Sequence, residues 1–442
     1  MTGPITSASL KMGTTTQASS SKDRELGVAV DFGTATFWQS GTPRGASSVL
    51  RRPIRLSGMA FPLHAQLKHY DWGVPGALSQ ALGREPSGSP EAEIWWGNHP
   101  LAECAISTPS GLEDLPTWFE KTETDFPILV KLLAAQKPLS IQVHPSKTQA
   151  ESGFDHEEAA GIPLDAPERS YKDRSAKPEL IIALSEEFVG LVSFATGVAV
   201  QERLARWLGA GAPQSLARLM ESVADDPRKA ARRIVENGST HNGVILELEH
   251  WLASVTPPRF DATTAAEVQL LQQVSSAHPG DAGILFVLLM HHVHLKRGEA
   301  LFVADREVHA YIKGFGLEVM LPSDNVVRAG LTSKNKDAES FLELSNFSPT
   351  ESPLIVSPRR DLFLDTYHGF GADFSVHRIS SGAQEFSFAS PSVCFVERGV
   401  AVVSDSGETT LHRGDVVLAL PGETLMPQSE DVVVWVVHAG LD

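Results

Sequence analysis

Four short phrases in this 442-residue chain carry side chains that can do chemistry. The first is Lys137-Pro138-Leu139-Ser140-Ile141-Gln142-Val143-His144-Pro145-Ser146. Side chains alternate along a strand, so Gln142 and His144 leave one face while Val143 turns into packing. An amide oxygen and a neutral imidazole facing one cavity can begin a metal site. The second phrase, Lys177-Pro178-Glu179, stands directly before an apolar strand. Lys177 and Glu179 share a face there, a carboxylate for a metal with a cation beside it. The third, Glu307-Val308-His309-Ala310-Tyr311, offers His309 as a further imidazole. The fourth runs from Ser323 to Lys334 and sets Arg328 and Lys334 near the turn at Gly330. A planar guanidinium and an ammonium there can hold phosphate oxygens or a developing oxyanion. Each phrase alone has an ordinary structural explanation. Lys177 and Glu179 can be an ion pair at a strand edge, and a single turn histidine is usually satisfied by its neighbours. His291, His292 and His294 are richer in number but lie at the entry to a strand, so they are assigned to packing or surface.

Strands and helices must bring these phrases together. From Pro62 to about Phe194 the pattern is short apolar runs between turn-forming residues: Ile128–Leu133, Leu139–Val143 closed by Pro145, and Leu180–Leu184. From about Val198 to Val274 the period becomes helical, as in Leu204, Trp207 and Leu208 or Ile245, Leu248, Trp251 and Leu252. Four or so helices are expected there, as a packing module. Strands return from Leu285. Two distant phrases are alike, Lys296-Arg297-Gly298-Glu299 and His412-Arg413-Gly414-Asp415, each leading into an apolar strand. The likeness suggests two related β units.

Composition narrows the partners. The net charge of −17 repels nucleic acid and anionic membrane, so a phosphorylated substrate needs a local basic patch. Two distant cysteines, Cys104 and Cys394, support neither a disulfide framework nor a cysteine metal cluster. A reducing, cytoplasmic setting is expected. No apolar run approaches the ~18 residues of a membrane helix, and no secretory signal is visible. Residues 1–58 include the polar stretch Thr14–Ser21 and are read as a mostly disordered arm, with Met59 as a candidate translation start.

Together the four phrases, in this order, resemble the zinc-binding signature set of type I phosphomannose isomerases. The likeness spans roughly residues 60–340. It includes Tyr70-Asp71-Trp72-Gly73, Ala92-Glu93-Ile94-Trp95-Trp96-Gly97-Asn98-His99-Pro100 and Tyr171-Lys172-Asp173, and is closest over Ser323–Lys334. The resemblance implies a mainly β fold of cupin-type (jelly-roll) barrels with a helical insertion. The expected units are a metal-binding cupin domain over 59–195 and 281–340, a helical insertion over 196–280, and a C-terminal cupin-like β domain over 341–442. It implies one Zn2+ per subunit, held by Gln142, His144, Glu179 and His309. It implies interconversion of mannose 6-phosphate and fructose 6-phosphate through a cis-enediol(ate). Within that reading Glu318 is the candidate base with Lys177 its rival, and Arg328 stabilises charge. Lys131, Ser140 and Lys334 are assigned to substrate and phosphate. A monomer is expected. Two departures stand out. A position commonly His in the family is Ala176, for which His99 is the expected substitute, and Trp95-Trp96 replaces a more usual Trp-Met. An isomerase for another sugar, or a non-catalytic sugar-binding regulator, are the competing readings.

Overall fold

The computed structural model describes residues 60–99, 101–221, 225–236, 241–368 and 373–440. The expected disordered arm and the start at Met59 lie outside them. The fold is mostly β, with helices gathered in one stretch of the chain. A nine-stranded and an eleven-stranded sheet carry most of the strands, beside a four-stranded and a two-stranded sheet. Among the described residues no sheet closes on itself, and no helix is long and apolar enough to cross a membrane.

The helices follow the expected period. Five lie between 197 and 277: Gly197–Gly209, Gln214–Met220, Pro227–Glu236, Asn242–Ser254 and Ala262–Ala277. Thr196 and Asp261 cap the first and last through side-chain bonds to backbone N–H groups. Their apolar faces meet Ile141 and Val143 in one core. Those two residues flank Gln142, so strand alternation seats them on the helices and leaves the amide facing away. Strands do not return at Leu285: Ala282–Leu285 is a short 3-10 turn and Phe286–Leu289 a helical one, with Met290–Leu295 the first strand. A run of buried apolar residues does not by itself separate strand from helix.

The expected boundary at 341 is crossed by hydrogen bonds. Phe61–Ala65 pairs with Val416–Ala419 on one side and with Cys104–Thr108 on the other. The nine-stranded sheet thus joins strands of 61–114 to strands of 359–439. The repeated phrases form the same turn. Glu299 accepts from the Lys296 N–H at 2.8 Å and Asp415 from the His412 N–H at 2.7 Å, around Gly298 and Gly414 at φ 81° and 89°. A left-handed residue is needed at each, which favours glycine.

Two glycines also fix the segment that carries Arg328. Gly283 and Gly330 approach so closely that a Cβ on either would lie within about 3.0 Å of the other's Cα. Asp281 Oδ1 accepts the N–H groups of Gly283 at 2.7 Å and Leu331 at 3.1 Å, closing the contact. Cys104 and Cys394 are buried free thiols.

Candidate metal centre

Register decides which side chains meet. Gln142 lies opposite His309 on one neighbouring strand and opposite Arg328 on the other. Glu179 opens the strand Glu179–Ala183, and His309 opens the long strand His309–Met320 rather than sitting in a turn. One ligand atom each from His144, Glu179 and His309 lie within 4.8 Å of one another, all three residues buried. Gln142 completes the group: its Nε2 is 3.2 Å from His309 Nε2, and its Oε1 accepts from Ser140 at 3.4 Å. Half a turn of the amide exchanges nitrogen and oxygen and presents the oxygen to the same space.

The donor set fits a cation. His144 Nδ1 donates to the Asn325 carbonyl at 2.7 Å and His309 Nδ1 to the Glu307 carbonyl at 3.0 Å. A carbonyl only accepts, so each ring keeps its proton on Nδ1 and turns the Nε2 lone pair inward. His144 Nε2 is buried without a well-aligned hydrogen bond, although Glu179 Oε1 lies 3.2 Å away. His309 Nε2 is 3.5 Å from Glu179 Oε2. Lone pairs facing a carboxylate repel it, and a cation between them turns that repulsion into ligation. Two imidazoles, a carboxylate and an amide suit zinc.

Electrostatics favour the metal-binding forms of His144 and Glu179. Burial, and after it the Lys177 ammonium, pushes the His144 imidazole down to about 3, so it is neutral near pH 7. Burial works to raise Glu179, but the Lys177 ammonium, 3.2 Å from Oε1, leads the charges that hold it well below the usual carboxylate range. Tyr311 donates its hydroxyl to Glu179 Oε2 at 3.2 Å. Burial and then the charge of Glu179 push that phenol well above its ordinary value, so it stays a donor.

A cavity of about 1070 Å3 opens over the group, and Lys131, Ser140, Gln142, Lys177, Glu179, Glu318, Arg328 and Lys334 all line it. Lys131 and Glu318 are buried partners at 3.3 Å. Burial and then the charge of Glu179 raise Glu318 to about 7, against the pull of Lys131. Burial works to lower Lys131, but the Glu318 and Glu93 carboxylates outweigh it and raise it. Burial lowers the Arg328 guanidinium. Burial and then Arg328 lower Lys334. The three histidines at 291, 292 and 294 behave as packing or surface groups. His291 and His292 bond to the backbone oxygens of Thr350 and Val287, and His294 faces Glu187.

Residues 60–196 match the family described as "Phosphomannose isomerase type I, catalytic domain". The mannose-6-phosphate isomerase of Escherichia coli (strain K12) is 32% identical over 388 residues, 81% of this chain and 92% of that protein. This chain belongs to the type I phosphomannose isomerase family. The mouse mannose-6-phosphate isomerase is 29% identical over 415 residues, 84% of this chain and 95% of that protein. The solved mannose 6-phosphate isomerase of Salmonella typhimurium, bound to substrate and zinc, aligns with a TM-score of 0.74 at 29% identity. The match covers 86% of this chain and all of that one.

In this type I phosphomannose isomerase, the candidate catalytic residue His99 stands apart from the other candidate site residues that line the cavity. It is buried behind Asp324 and is not part of the cavity wall. Its Nδ1 accepts from the Leu101 N–H at 3.1 Å, so Nε2 carries the proton and faces Asp324 Oδ2 at 3.4 Å. Neither ring nitrogen is left for a sugar in place of a histidine at position 176. Three residues were missed. Tyr311 stands two positions after His309 on one strand, and that spacing was a legible sign that both share a face. Asp324 lines the cavity. Burial acts to raise its carboxyl, but the bond from His99 leads the effects that lower it. Asn325 ties the site together: its carbonyl holds His144, and its side-chain oxygen accepts the Lys172 N–H at 2.7 Å.

Proposed function

We propose that this chain interconverts mannose 6-phosphate and fructose 6-phosphate at one zinc ion held by Gln142, His144, Glu179 and His309. The observation that carries this reading is the buried, inward-turned donor set beneath a cavity that also presents Lys131, Lys177, Arg328 and Lys334. Zinc, when bound, supplies a Lewis acid that polarises the sugar's carbonyl and hydroxyl oxygens.

The chain's own residues do the rest. Glu318 carries the proton between C2 and C1. A carboxyl raised to about 7 is part ionised at neutral pH, which suits a group that must take and return one proton. Lys131 keeps the ionised form of Glu318 accessible, and Lys177 holds Glu179 as a carboxylate. Arg328 stabilises the cis-enediolate charge, while Lys334 and Ser140 hold the phosphate end. Asp324, held by His99, borders the same space.

The same reading assigns the metal-binding strands and those of the C-terminal part to cupin-type barrels, with 196–280 a helical insertion. The change from strand to helix near Gly197 and back at Met290 supports it. It also takes the protein as a cytoplasmic monomer. A panel of aldoses, with and without phosphate, assayed for isomerisation tests the activity. Turnover of mannose 6-phosphate well above all other sugars is the expected result, and preference for an unphosphorylated sugar would overturn it.

A further inference from the structure

Lys131 is the middle member of a row that crosses three neighbouring strands. It lies opposite Trp95 of Glu93–Gly97 on one side and opposite Glu318 of His309–Met320 on the other. Residues directly opposite in an antiparallel pair share a face, so the three side chains project together. The Lys131 ammonium stands 3.3 Å from Glu318 Oε2 and 4.4 Å from the centroid of the Trp95 ring. All three residues are buried.

The ring is itself held in place. Trp95 Nε1 donates to Glu93 Oε2 at 3.2 Å, two residues back on the same strand face. The His99 imidazole packs edge-on against the ring, with centroids 5.4 Å apart and planes at 85°. From the strand on the far side, Lys68 brings a second ammonium to 4.5 Å from the centroid and donates to the Leu101 carbonyl at 2.8 Å. Burial alone does not account for tryptophan here. A leucine can fill an apolar wall, but an aliphatic side chain offers an ammonium no attraction. The face of an indole carries negative potential and draws a cation, most strongly where water is excluded. One carboxylate does not by itself fix an ammonium on a flexible four-carbon stem. The ring supplies a second point of attachment.

We infer that Trp95 is a positioning residue, whose indole face, fixed by Glu93 and His99, holds the Lys131 ammonium against Glu318. Small displacements of a group that serves the reacting centre are costly. His99 then acts from behind the wall, through the ring, with no contact to the sugar. The inference rests on the reading that Glu318, with Lys131 beside it, carries the proton.

The test compares Trp95→Leu, Trp95→Phe and Lys131→Met, each as purified zinc-loaded protein, for zinc content, kcat and KM with mannose 6-phosphate. Trp95→Leu keeps its zinc and a KM within about threefold of the parent, and loses about 5- to 30-fold in kcat. Trp95→Phe keeps an aromatic face for the ammonium and recovers most of that kcat. In a Lys131→Met background, Trp95→Leu costs nothing further, because the two act through one group. Parental kcat in Trp95→Leu overturns the inference. So does zinc lost in step with activity. A loss carried by KM, or one that persists in the Lys131→Met background, also overturns it, since the ring would then act on the sugar directly. Should Trp95→Leu not fold, a Trp95→Phe protein as slow as Lys131→Met overturns it equally. A parent chain without isomerase activity would instead refute the functional reading itself.

Discussion

Lys131 and Glu318 sit directly opposite each other on adjacent antiparallel strands, with Nζ 3.3 Å from Oε2. Both are buried, so neither charge is relieved by water. The carboxyl is pushed up by burial and by Glu179, and Lys131 is the first group that pulls it back. This pair sets the protonation of the proposed base. Lys131 also lies 4.4 Å from the centroid of the Trp95 ring, which shares its charge.

Replacing Lys131 with Met removes the cation that favours ionised Glu318. The carboxyl then rises further above about 7, so a smaller fraction is ionised at neutral pH. The acidic limb of the pH–kcat profile moves to higher pH, and turnover at pH 7 falls by about 10²-fold. An unmoved acidic limb would remove Glu318 from the role of base.

The zinc-free protein should lose stability in acid over a defined window. His144 is held down to about 3 in the fold, against an ordinary value of 6.5. Above pH 6.5 neither state gains from protonating it. As pH falls from 6.5 toward about 3, the unfolded chain takes a proton that the folded chain refuses, so stability is lost. The depressed Glu179 adds a loss of the same sign below its ordinary value of 4.5. Denaturant titrations of zinc-free protein at pH 7 and pH 4.5 measure this. His144→Gln should show a shallower loss than the parent, and an equal slope would contradict it.

Arg328→Ala separates charge stabilisation from metal binding. The residue lies opposite Gln142 but belongs to a different strand, Val327–Gly330. Zinc content should stay at the parental level while kcat falls by about 10²- to 10³-fold. A variant that loses zinc with its activity would place Arg328 in the metal scaffold instead.

Tyr311→Phe removes the hydroxyl that donates to Glu179 Oε2. Groups that orient a ligand this way typically matter by about 10- to 100-fold in metal affinity. Competition with a chelator should show weaker zinc retention in the variant. Unchanged retention would mean that Glu179 is held without the phenol.

Much of the site was legible because strand alternation is local. Gln142 with His144, and Lys177 with Glu179, follow from a two-residue period within a few positions. The helices between 197 and 277 followed from their own period in the same way. What was not legible is pairing over distance. Gln142 finds His309 and Arg328 more than 160 residues away, and Phe61–Ala65 finds its partner near the C-terminal end. Only the assembled sheet sets those registers. His99 shows the same limit: its residue type suited proton transfer, but the Leu101 N–H and Asp324 occupy its two nitrogens.

The central claim is that the Gln142, His144, Glu179 and His309 group binds the zinc on which isomerisation depends. Zinc content and the rate of mannose 6-phosphate isomerisation, measured on the same samples of parent and His144→Ala protein, test it most directly. The account predicts one zinc per active parent chain, and loss of both zinc and rate in the variant. A His144→Ala protein that is free of zinc and isomerises at the parental rate would contradict it.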